Sequence, residues 1–373
     1  MTTQTDITVI GGGIVGLSVA LGLLDAGQRV TVLDGADGDL RASQGNFGLV
    51  WLQGKGARYP AYAHWTSKAV AAWPEFAATL SDISGMDVKL EQPGGYEFFT
   101  DETEFAEFSG DLALQKEALV DDLPCETLSG EAVRRRIPSL GPAVVGATYC
   151  ARDGHVNPLL LLRALGRAVR RRGGLVEQSV HVDQISPTPG GGFALRDRQG
   201  QLRHTGRLVL CAGLGAMTLA PQLGFRTKVR PQRGELLITE KLGSHLPFLS
   251  STIRQVNEGG IQIGGTKAEV GLDDNDTLGK TAGLARHAVD VLPALASVSV
   301  LRSWGALRIM TGDGYPVYAR SPDHPDACLV TCHSGVTLAP NHAGALAKWI
   351  EGASDAPELD PFDEHRFKIS EAA

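Results

Sequence analysis

A glycine-rich segment near the N-terminus leaves few folds open to this chain. Gly11, Gly13 and Gly16 form a G-x-G-x-x-G pattern between an apolar strand, residues 6–10, and a helical segment that Gly27 ends. The first glycine permits a tight turn, the second lets a pyrophosphate approach the backbone, and the third lets the helix pack against the strand. Because amides at the helix start can bind phosphate, the pattern predicts a dinucleotide-binding Rossmann unit.

An acidic residue supports this interpretation. Asp34 follows the next apolar strand, residues 30–33, and lies 18 residues after Gly16. A carboxylate at that place can hydrogen-bond the diol of a ribose. The fingerprint is common to FAD and NAD proteins, so an NAD(P)-dependent dehydrogenase remains an alternative at this point.

The rest of the chain contains two kinds of secondary-structure pattern. A helix predicted from Pro158 to the arginines at 170–172, a strand at 208–212, and a strand at 329–332 followed by a helix at 337–350 continue the strand–helix alternation. Residues 86–145 and 222–300 are richer in short alternating strands.

This arrangement predicts an α/β chain with a Rossmann-type domain and a discontinuous α+β substrate domain. The Rossmann-type domain takes residues 1–85, 146–221 and 301–373, and the substrate domain takes 86–145 and 222–300.

Composition excludes several other classes of protein. A formal net charge of -7 argues against a general nucleic-acid binder. The five cysteines are scattered without a CxxC pair, which gives no metal-site spacing and suits a reducing cytosol. Apolar runs such as residues 159–162 are far shorter than the about 20 residues of a bilayer span, and no signal peptide is visible. We therefore expect a cytoplasmic protein.

Segments 43–48, 208–213, 304–316 and 332–340 extend the pattern along nearly the whole chain. In this order they resemble the D-amino-acid oxidase-like flavoenzyme family, which includes glycine oxidase, sarcosine oxidase and D-amino-acid dehydrogenases. The resemblance implies that the Rossmann-type domain binds FAD. It also implies non-covalent FAD, because the stretch Leu307–Ile309, near which the sarcosine-oxidase branch carries its tethering cysteine, has none.

The resemblance assigns the cofactor-binding residues one by one. They are Gly11, Gly13, Ile14, Val15, Gly16, Asp34, Ser43, Gln44, Asn46, Phe47, Gly48, Val182, Ala212, Gly213, Arg308, Ser334, Gly335, Val336, Thr337 and Leu338. The last five form a turn that opens a helix, where free amides stabilise the negative charge of a reduced flavin.

Arg308 is the candidate substrate residue. It precedes Thr311-x-Asp313-Gly-x-Pro316. In the family an arginine at this place binds the carboxylate of the substrate in a bidentate manner. A guanidinium suits this role because its planar donors meet both carboxylate oxygens. Further pocket candidates are Trp51, His64, Tyr96 and Arg233.

The chemistry that the resemblance implies is oxidation of an amino acid or secondary amine. The substrate would be a D-amino acid, a cyclic imino acid or an N-substituted glycine. Hydride would pass from its Cα to flavin N5, and the resulting imine would be hydrolysed. This reaction needs positioning and an electron acceptor more than a strong base, in keeping with the absence of a Ser/His/Asp or paired-carboxylate constellation.

Two sequence segments indicate one branch of the family. Residues 46–51 and 333–340 are more similar to D-hydroxyproline dehydrogenase and opine-oxidase subunits than to glycine oxidase. That likeness implies partner subunits and an electron acceptor other than oxygen, although the residues do not separate oxidase from dehydrogenase. A non-catalytic FAD-binding subunit of a heteromeric dehydrogenase is the remaining alternative.

Overall fold

The computed structural model describes residues 5–35, 42–120 and 123–367, so residues 1–4, 36–41, 121–122 and 368–373 of the predicted domain ranges lie outside it. The strands are β1 (Thr5–Ile10), β2 (Val30–Asp34), β3 (Leu49–Val50), β4 (Gly95–Phe99), β5 (Cys125–Ser129), β6 (Gly146–Cys150), β7 (Gly154–His155), β8 (Leu175–Gln178), β9 (Val182–Pro187), β10 (Phe193–Asp197), β11 (Leu202–Leu210), β12 (Arg230–Lys241), β13 (Ile253–Gln255), β14 (Gly260–Gly264), β15 (Val300–Met310), β16 (Val317–Arg320) and β17 (Ala327–Thr331). The helices are α1 (Ile14–Asp25), α2 (Pro60–Ser84), α3 (Glu102–Ala118), α4 (Gly130–Arg136), α5 (Pro158–Arg171), α6 (Ala216–Leu219), α7 (Leu278–Val291), α8 (Ala339–Ala343) and α9 (Ala345–Glu351).

The largest sheet has a parallel centre. Its order is β16-β17-β11-β1-β2-β8, in which β17, β11, β1, β2 and β8 run parallel, while β16 is antiparallel and β10 and β9 extend from β11. The predicted α/β class is confirmed. The first strand, helix and second strand follow the Rossmann order, so the glycine turn lies at the carboxyl end of β1, where such sheets bind ligands.

Each face of this sheet is covered by apolar side chains, because side chains alternate along a strand. Ile7 and Val9 of β1 join the core beneath the helices, whereas Ile10 packs on the other face with β9 and β10. Burial on both faces agrees with β2, in which all five residues are buried and three are apolar.

Two smaller sheets form a second core. The four-stranded sheet β13-β14-β12-β15 and the three-stranded sheet β4-β6-β5 contribute to one apolar cluster together with α7. β15 begins at Val300 and pairs with β12 as far as Met310. The predicted boundary between residues 300 and 301 therefore falls at the start of a strand, and this sheet extends about ten residues further than the pattern indicated.

The C-terminal helix begins later than predicted and is interrupted. The sequence pattern indicated a helix from Thr337 to Ile350, but residues 335–338 form a turn and Gly344 separates α8 from α9. At the break, a Cβ on Gly22 of α1 would lie 2.0 Å from the Ala343 carbonyl oxygen. The close approach of two backbones, which periodicity does not reveal, accounts for the difference.

None of the helices in the described ranges has both the length and the apolar character that a membrane crossing requires.

Candidate active site

Glycines in the first turn bring backbone atoms into close contact. Gly11 has φ +109°, and a Cβ there would lie 2.3 Å from the Cys211 carbonyl oxygen. A Cβ on Gly16 would lie 1.9 Å from the Gly11 carbonyl oxygen. No larger residue fits either position, so α1 can start directly at the end of β1.

Polar side chains hold this turn open at the sheet edge. The Gly12 amide donates to Asp34 Oδ2 at 2.6 Å, and the Ile14 amide donates to Ser43 Oγ at 3.0 Å. The Gly13 amide between them donates to no acceptor within the described ranges. The two side chains thus fix the conformation of the glycine turn from outside the helix.

A first cavity of about 230 Å³ adjoins this turn. The predicted cofactor residues that line it are Gly11, Gly13, Val15, Ser43, Val182, Ala212 and Gly213. Gly11, Gly13 and Val15 lie where β1 leads into α1, and Ala212 and Gly213 follow β11, which pairs in parallel with β1. Ser43 lies in the segment before β3, and Val182 begins β9.

A second cavity of about 420 Å³ continues from the first. Ala42, Leu307 and Ile309 line both cavities. The sequence-predicted residues that line the second cavity are Asn46, Phe47, Trp51, Arg308, Ser334, Val336 and Thr337.

The turn at residues 334–338 lies directly against the first glycine turn. A Cβ on Gly335 would lie 2.8 Å from Val15 Cγ2. The amides of residues 335–337 donate no hydrogen bond within the described part of the chain. Thr337 fixes the turn, because its Oγ1 donates to the Leu49 carbonyl at 3.0 Å and accepts from the Trp51 amide at 3.3 Å. Free amides from two turns thus converge along the joined cavities.

Arg308 presents a guanidinium to the second cavity. Its Nη1 donates to the Thr266 carbonyl oxygen at 2.7 Å, and a Cβ on Gly234 would lie 2.5 Å from its Nη2. Glycine at 234 therefore leaves the room that this side chain occupies. Within the described ranges no carboxylate lies at ion-pair distance from Arg308.

The structure adds two lysines that the sequence did not single out. Lys55 and Lys267 both line the second cavity. Lys55 Nζ donates to Ser334 Oγ at 3.3 Å, and the same oxygen accepts from Tyr62 at 2.8 Å. The position of Lys55 four residues after Trp51 is the one sequence signal that pointed towards it.

Glu97 lies behind the wall of the second cavity. Its Oε1 accepts from Trp51 Nε1 at 3.1 Å, and its Oε2 accepts from Ser251 Oγ. Burial raises the pKa of Glu97 to about 7, although the hydrogen bonds from Ser251 and Trp51 oppose the shift. This carboxyl group therefore titrates near neutral pH.

Replacing Glu97 with glutamine is expected to stabilise the protein progressively as the pH rises from about 4.5 to about 7. Over that range the folded protein keeps a proton that the unfolded chain has lost, so the stability of the native protein falls with pH. Glutamine can keep both hydrogen bonds and does not titrate. The measurement is the Tm of each protein across this range. Glu117→Gln, on the exposed surface of α3, is the control, and a difference in Tm that does not change with pH would contradict the prediction.

Three of the predicted pocket residues do not line the second cavity. His64 is on the exposed face of α2, so the structure places it outside the pocket. Tyr96 is buried in the second core, where it stacks on Phe98 with ring centroids 5.3 Å apart. Arg233 is buried in ion pairs with Glu235 at 3.2 Å and with Asp273 at 2.6 Å.

Other predicted cofactor residues line neither cavity. They are Ile14, Gly16, Asp34, Gln44, Gly48, Gly335 and Leu338. Most of them shape the turns instead: the Gly48 amide, for example, donates to Asn46 Oδ1 at 2.7 Å. Gln44 is exposed.

The parallel sheet, the glycine turn and the two joined cavities define a Rossmann-type dinucleotide-binding protein whose cofactor site opens into a ligand pocket. The known proteins that the chain resembles specify the class further. A family model described as FAD dependent oxidoreductase (DAO) matches residues 6–349. The chain belongs to this family of FAD-dependent oxidoreductases.

Individual relatives agree with this assignment. An opine oxidase subunit of Agrobacterium tumefaciens (strain Ach5) is 42% identical over 370 residues, which cover 99% of each chain. The corresponding opine oxidase subunit of Rhizobium meliloti is 40% identical over 378 residues, again 99% of each chain. The crystal structure of glycine oxidase from Geobacillus kaustophilus aligns with a TM-score of 0.85 at 23% identity, covering 96% of this chain and 98% of that one. These similarities support an FAD-dependent enzyme of a family acting on amino acids or amines, and they do not favour the NAD(P)-dependent alternative.

The residues present fit FAD. A Cβ on Gly13 would lie 2.9 Å from Ser43 Oγ and would narrow the first cavity at the turn with the free amide. At the other end, the amides of residues 335–337, which donate no hydrogen bond within the described ranges, would supply positive potential to a reduced flavin bound there. Both features are backbone cradles, as expected for a large anionic cofactor.

Proposed function

We propose that this protein oxidises an amino acid or secondary amine that carries a carboxylate: a D-amino acid, a cyclic imino acid or an N-substituted glycine. Bound FAD supplies N5 as the acceptor of the hydride that leaves the substrate Cα. The resulting imine is then hydrolysed by water.

The observation that carries this proposal is that Arg308 lines the second cavity without a carboxylate partner in the described part of the chain. Its guanidinium lines the second cavity, donates to the backbone carbonyls of Arg233 and Thr266, and has no carboxylate partner in the described part of the chain. A half-buried cation without a counter-ion is costly unless a ligand supplies one. A substrate carboxylate meets that need and can form two parallel hydrogen bonds with the guanidinium.

The remaining residues orient and enclose the substrate. Trp51 forms part of the cavity wall, and its indole is held by Glu97. Gly13, Asp34 and Ser43 would hold the pyrophosphate and ribose end of non-covalent FAD, and the turn at residues 334–338 would hold the pyrimidine end. Fixing the Cα–H of the substrate in one orientation is the main catalytic contribution of such a site.

The names of two relatives bear on the partners. Both opine oxidase chains are named as single subunits of that oxidase, which supports partner subunits for this chain. An FAD-binding subunit without catalysis is the competing form of this proposal.

Anaerobic bleaching of the flavin tests the proposal. The purified protein is expected to be yellow, and a panel of D-amino acids, N-methyl amino acids and cyclic imino acids should include compounds that bleach it without oxygen. Amines that lack the carboxylate should bleach it at least about a hundredfold less efficiently, because they lose the contact with Arg308. A colourless protein, or a yellow protein that no compound in the panel bleaches, would contradict the proposal. The second result would favour the non-catalytic subunit.

A further inference from the structure

Two cysteines face each other at the edge of the three-stranded sheet. Cys125 begins β5 and Cys150 ends β6, and the two lie directly opposite in the antiparallel pairing, although 25 positions separate them in the chain. Residues opposite each other on neighbouring strands carry their side chains on the same face of a sheet. Both side chains accordingly pack with the core beneath the helices, and both thiols are free.

The hydrogen bonds of this strand pair show which kind of position the cysteines occupy. At the neighbouring position the Ala151 amide donates to the Pro124 carbonyl at 3.1 Å. Hydrogen-bonded and non-hydrogen-bonded pairs alternate along antiparallel strands, so Cys125 and Cys150 form a non-hydrogen-bonded pair. The Cα atoms of such a pair are about 4.5 Å apart, which is within the range of about 4.4–6.8 Å that a disulfide spans. The register of the two strands therefore suits a disulfide at this position.

The two thiols differ in exposure and reactivity. Cys150 is fully buried, whereas Cys125 is partly exposed on the edge strand, where a small oxidant can reach it. The hydrogen bond from the Cys125 thiol lowers the pKa of Cys150, burial opposes this effect, and the amides of Arg152 and Asp153 add to it. A coupled pair of this kind forms a thiolate at lower pH than a lone thiol does, and the thiolate is the form that reacts.

The row of side chains that contains the two cysteines continues into the wall of the second cavity. Gly95 of β4 lies opposite Cys150 on its other side. A Cβ on Gly95 would lie 2.4 Å from Trp51 Cη2, so the indole of Trp51 occupies the place of a β4 side chain next to Cys150. The turn after Cys150 reaches the same segment, because Asp153 accepts from the Leu52 amide at 2.5 Å. A change at the cysteine pair therefore acts on Trp51 through its immediate neighbours.

We propose that Cys125 and Cys150 form a site of reversible oxidation by peroxide, and that their disulfide displaces the part of the second-cavity wall that Trp51 forms. The Cys125 sulfur attacks one oxygen of the peroxide, the O–O bond breaks, and a sulfenic acid and one water form. The Cys150 sulfur then attacks Cys125 Sγ, the S–O bond breaks, and the hydroxide that leaves takes the remaining thiol proton as a second water. Two thiols thus lose two electrons to one peroxide, and a dithiol reductant reverses the change by thiol–disulfide exchange.

Peptide mapping of the FAD-loaded protein after treatment with hydrogen peroxide tests the site. The treated protein is unfolded in the presence of iodoacetamide, which blocks free thiols, and linked peptides are identified by mass spectrometry. We expect one disulfide, between Cys125 and Cys150, which dithiothreitol removes. Cys211, Cys328 and Cys332 should be recovered in alkylated form, because none is more than 7% exposed and burial raises the pKa of each thiol.

Kinetics of the oxidised protein test the link to the cavity. A displacement of about 1 Å can lower a rate about a hundredfold, so a smaller displacement at Trp51 should lower kcat/KM for carboxylate-bearing amines by at least about threefold. FAD content should not change, and dithiothreitol should restore the rate. Cys125→Ser and Cys150→Ala should each abolish both the disulfide and the response to peroxide. Cys328→Ala, in the core of the largest sheet, is the matched control and should keep both.

The outcomes distinguish the redox site from the proposed function. Cysteines 125 and 150 that remain free thiols under peroxide, or a disulfide that includes another cysteine, would overturn the site. A complete disulfide between the two with unchanged kcat/KM, or a loss of rate that both cysteine variants retain, would overturn its effect on the cavity wall. Peptide mapping requires no substrate, so a protein that forms the disulfide but is bleached by no amine would instead refute the proposed function.

Discussion

Replacing Arg308 with methionine is expected to lower kcat/KM for carboxylate-bearing amines by at least about a hundredfold, with FAD content near normal. Methionine keeps much of the side-chain volume but removes every donor that a substrate carboxylate would use. A loss of this size corresponds to about 2.7 kcal/mol of transition-state binding. It is the magnitude seen when one partner of a desolvated, hydrogen-bonded charge pair is removed.

Two further variants are needed to interpret the effect of Arg308→Met. Arg308→Lys keeps a positive charge without the planar fork, so an intermediate loss is expected. Arg302→Met is the matched control, because Arg302 lies on the same strand, β15, with an exposed side chain. Turnover in the Arg308→Met protein equal to that of the parent would remove this residue from the site, and a parallel loss of FAD would show damage to the fold instead.

Replacing Gly13 with valine is expected to yield a folded protein that binds FAD at least about a hundredfold more weakly. The Cβ alone would lie 2.9 Å from Ser43 Oγ, and the two methyl groups would enter the first cavity beside the turn. The backbone of Gly13 is extended, with φ -77° and ψ -179°, and valine can adopt it. The change should therefore affect the cofactor more than the fold.

The flavin absorbance per protein and the Tm with and without added FAD measure this effect. Gly283→Val on α7 is the control, because a Cβ at Gly283 meets no atom within 4 Å. The control should retain its flavin and gain a few tenths of a kcal/mol in stability, because valine has a somewhat higher helix propensity than glycine. Full flavin content in the Gly13→Val protein would contradict the assignment of the pyrophosphate to this turn.

Sequence patterns predicted the parts of this protein that depend on local backbone geometry. The G-x-G-x-x-G turn requires close approaches at Gly11 and Gly16, which few other residues permit, so the pattern led directly to β1, α1 and β2. Pro158 likewise marked the start of α5, where the structure adds that the Asn157 side chain accepts from two amides of the first turn. In each case the residues that carry the pattern are neighbours in the chain.

Single pocket candidates were harder to assign, because a residue type does not show which way its side chain faces. Arg233 lies on β12 and Arg308 on the paired strand β15. In this pair Gln232 lies opposite Arg308, and Arg233 lies opposite Leu307. Alternation along the strands places Arg308 towards the second cavity and Arg233 towards Glu235 and Asp273. Whether the His64 side chain faces the pocket depends in the same way on which face of α2 packs inward.

The charge pattern of the pocket is a property of the tertiary structure alone. Lys55, Lys267 and Arg308 come from separate parts of the chain, and they meet only because the loop after β3, the segment after β14 and strand β15 close around one cavity. Glycine turns and buried strands could be predicted from the order of residues, since short-range sterics and burial dictate them. The meeting of these three cations could not, because it depends on the packing of distant elements and on the distances that this packing sets.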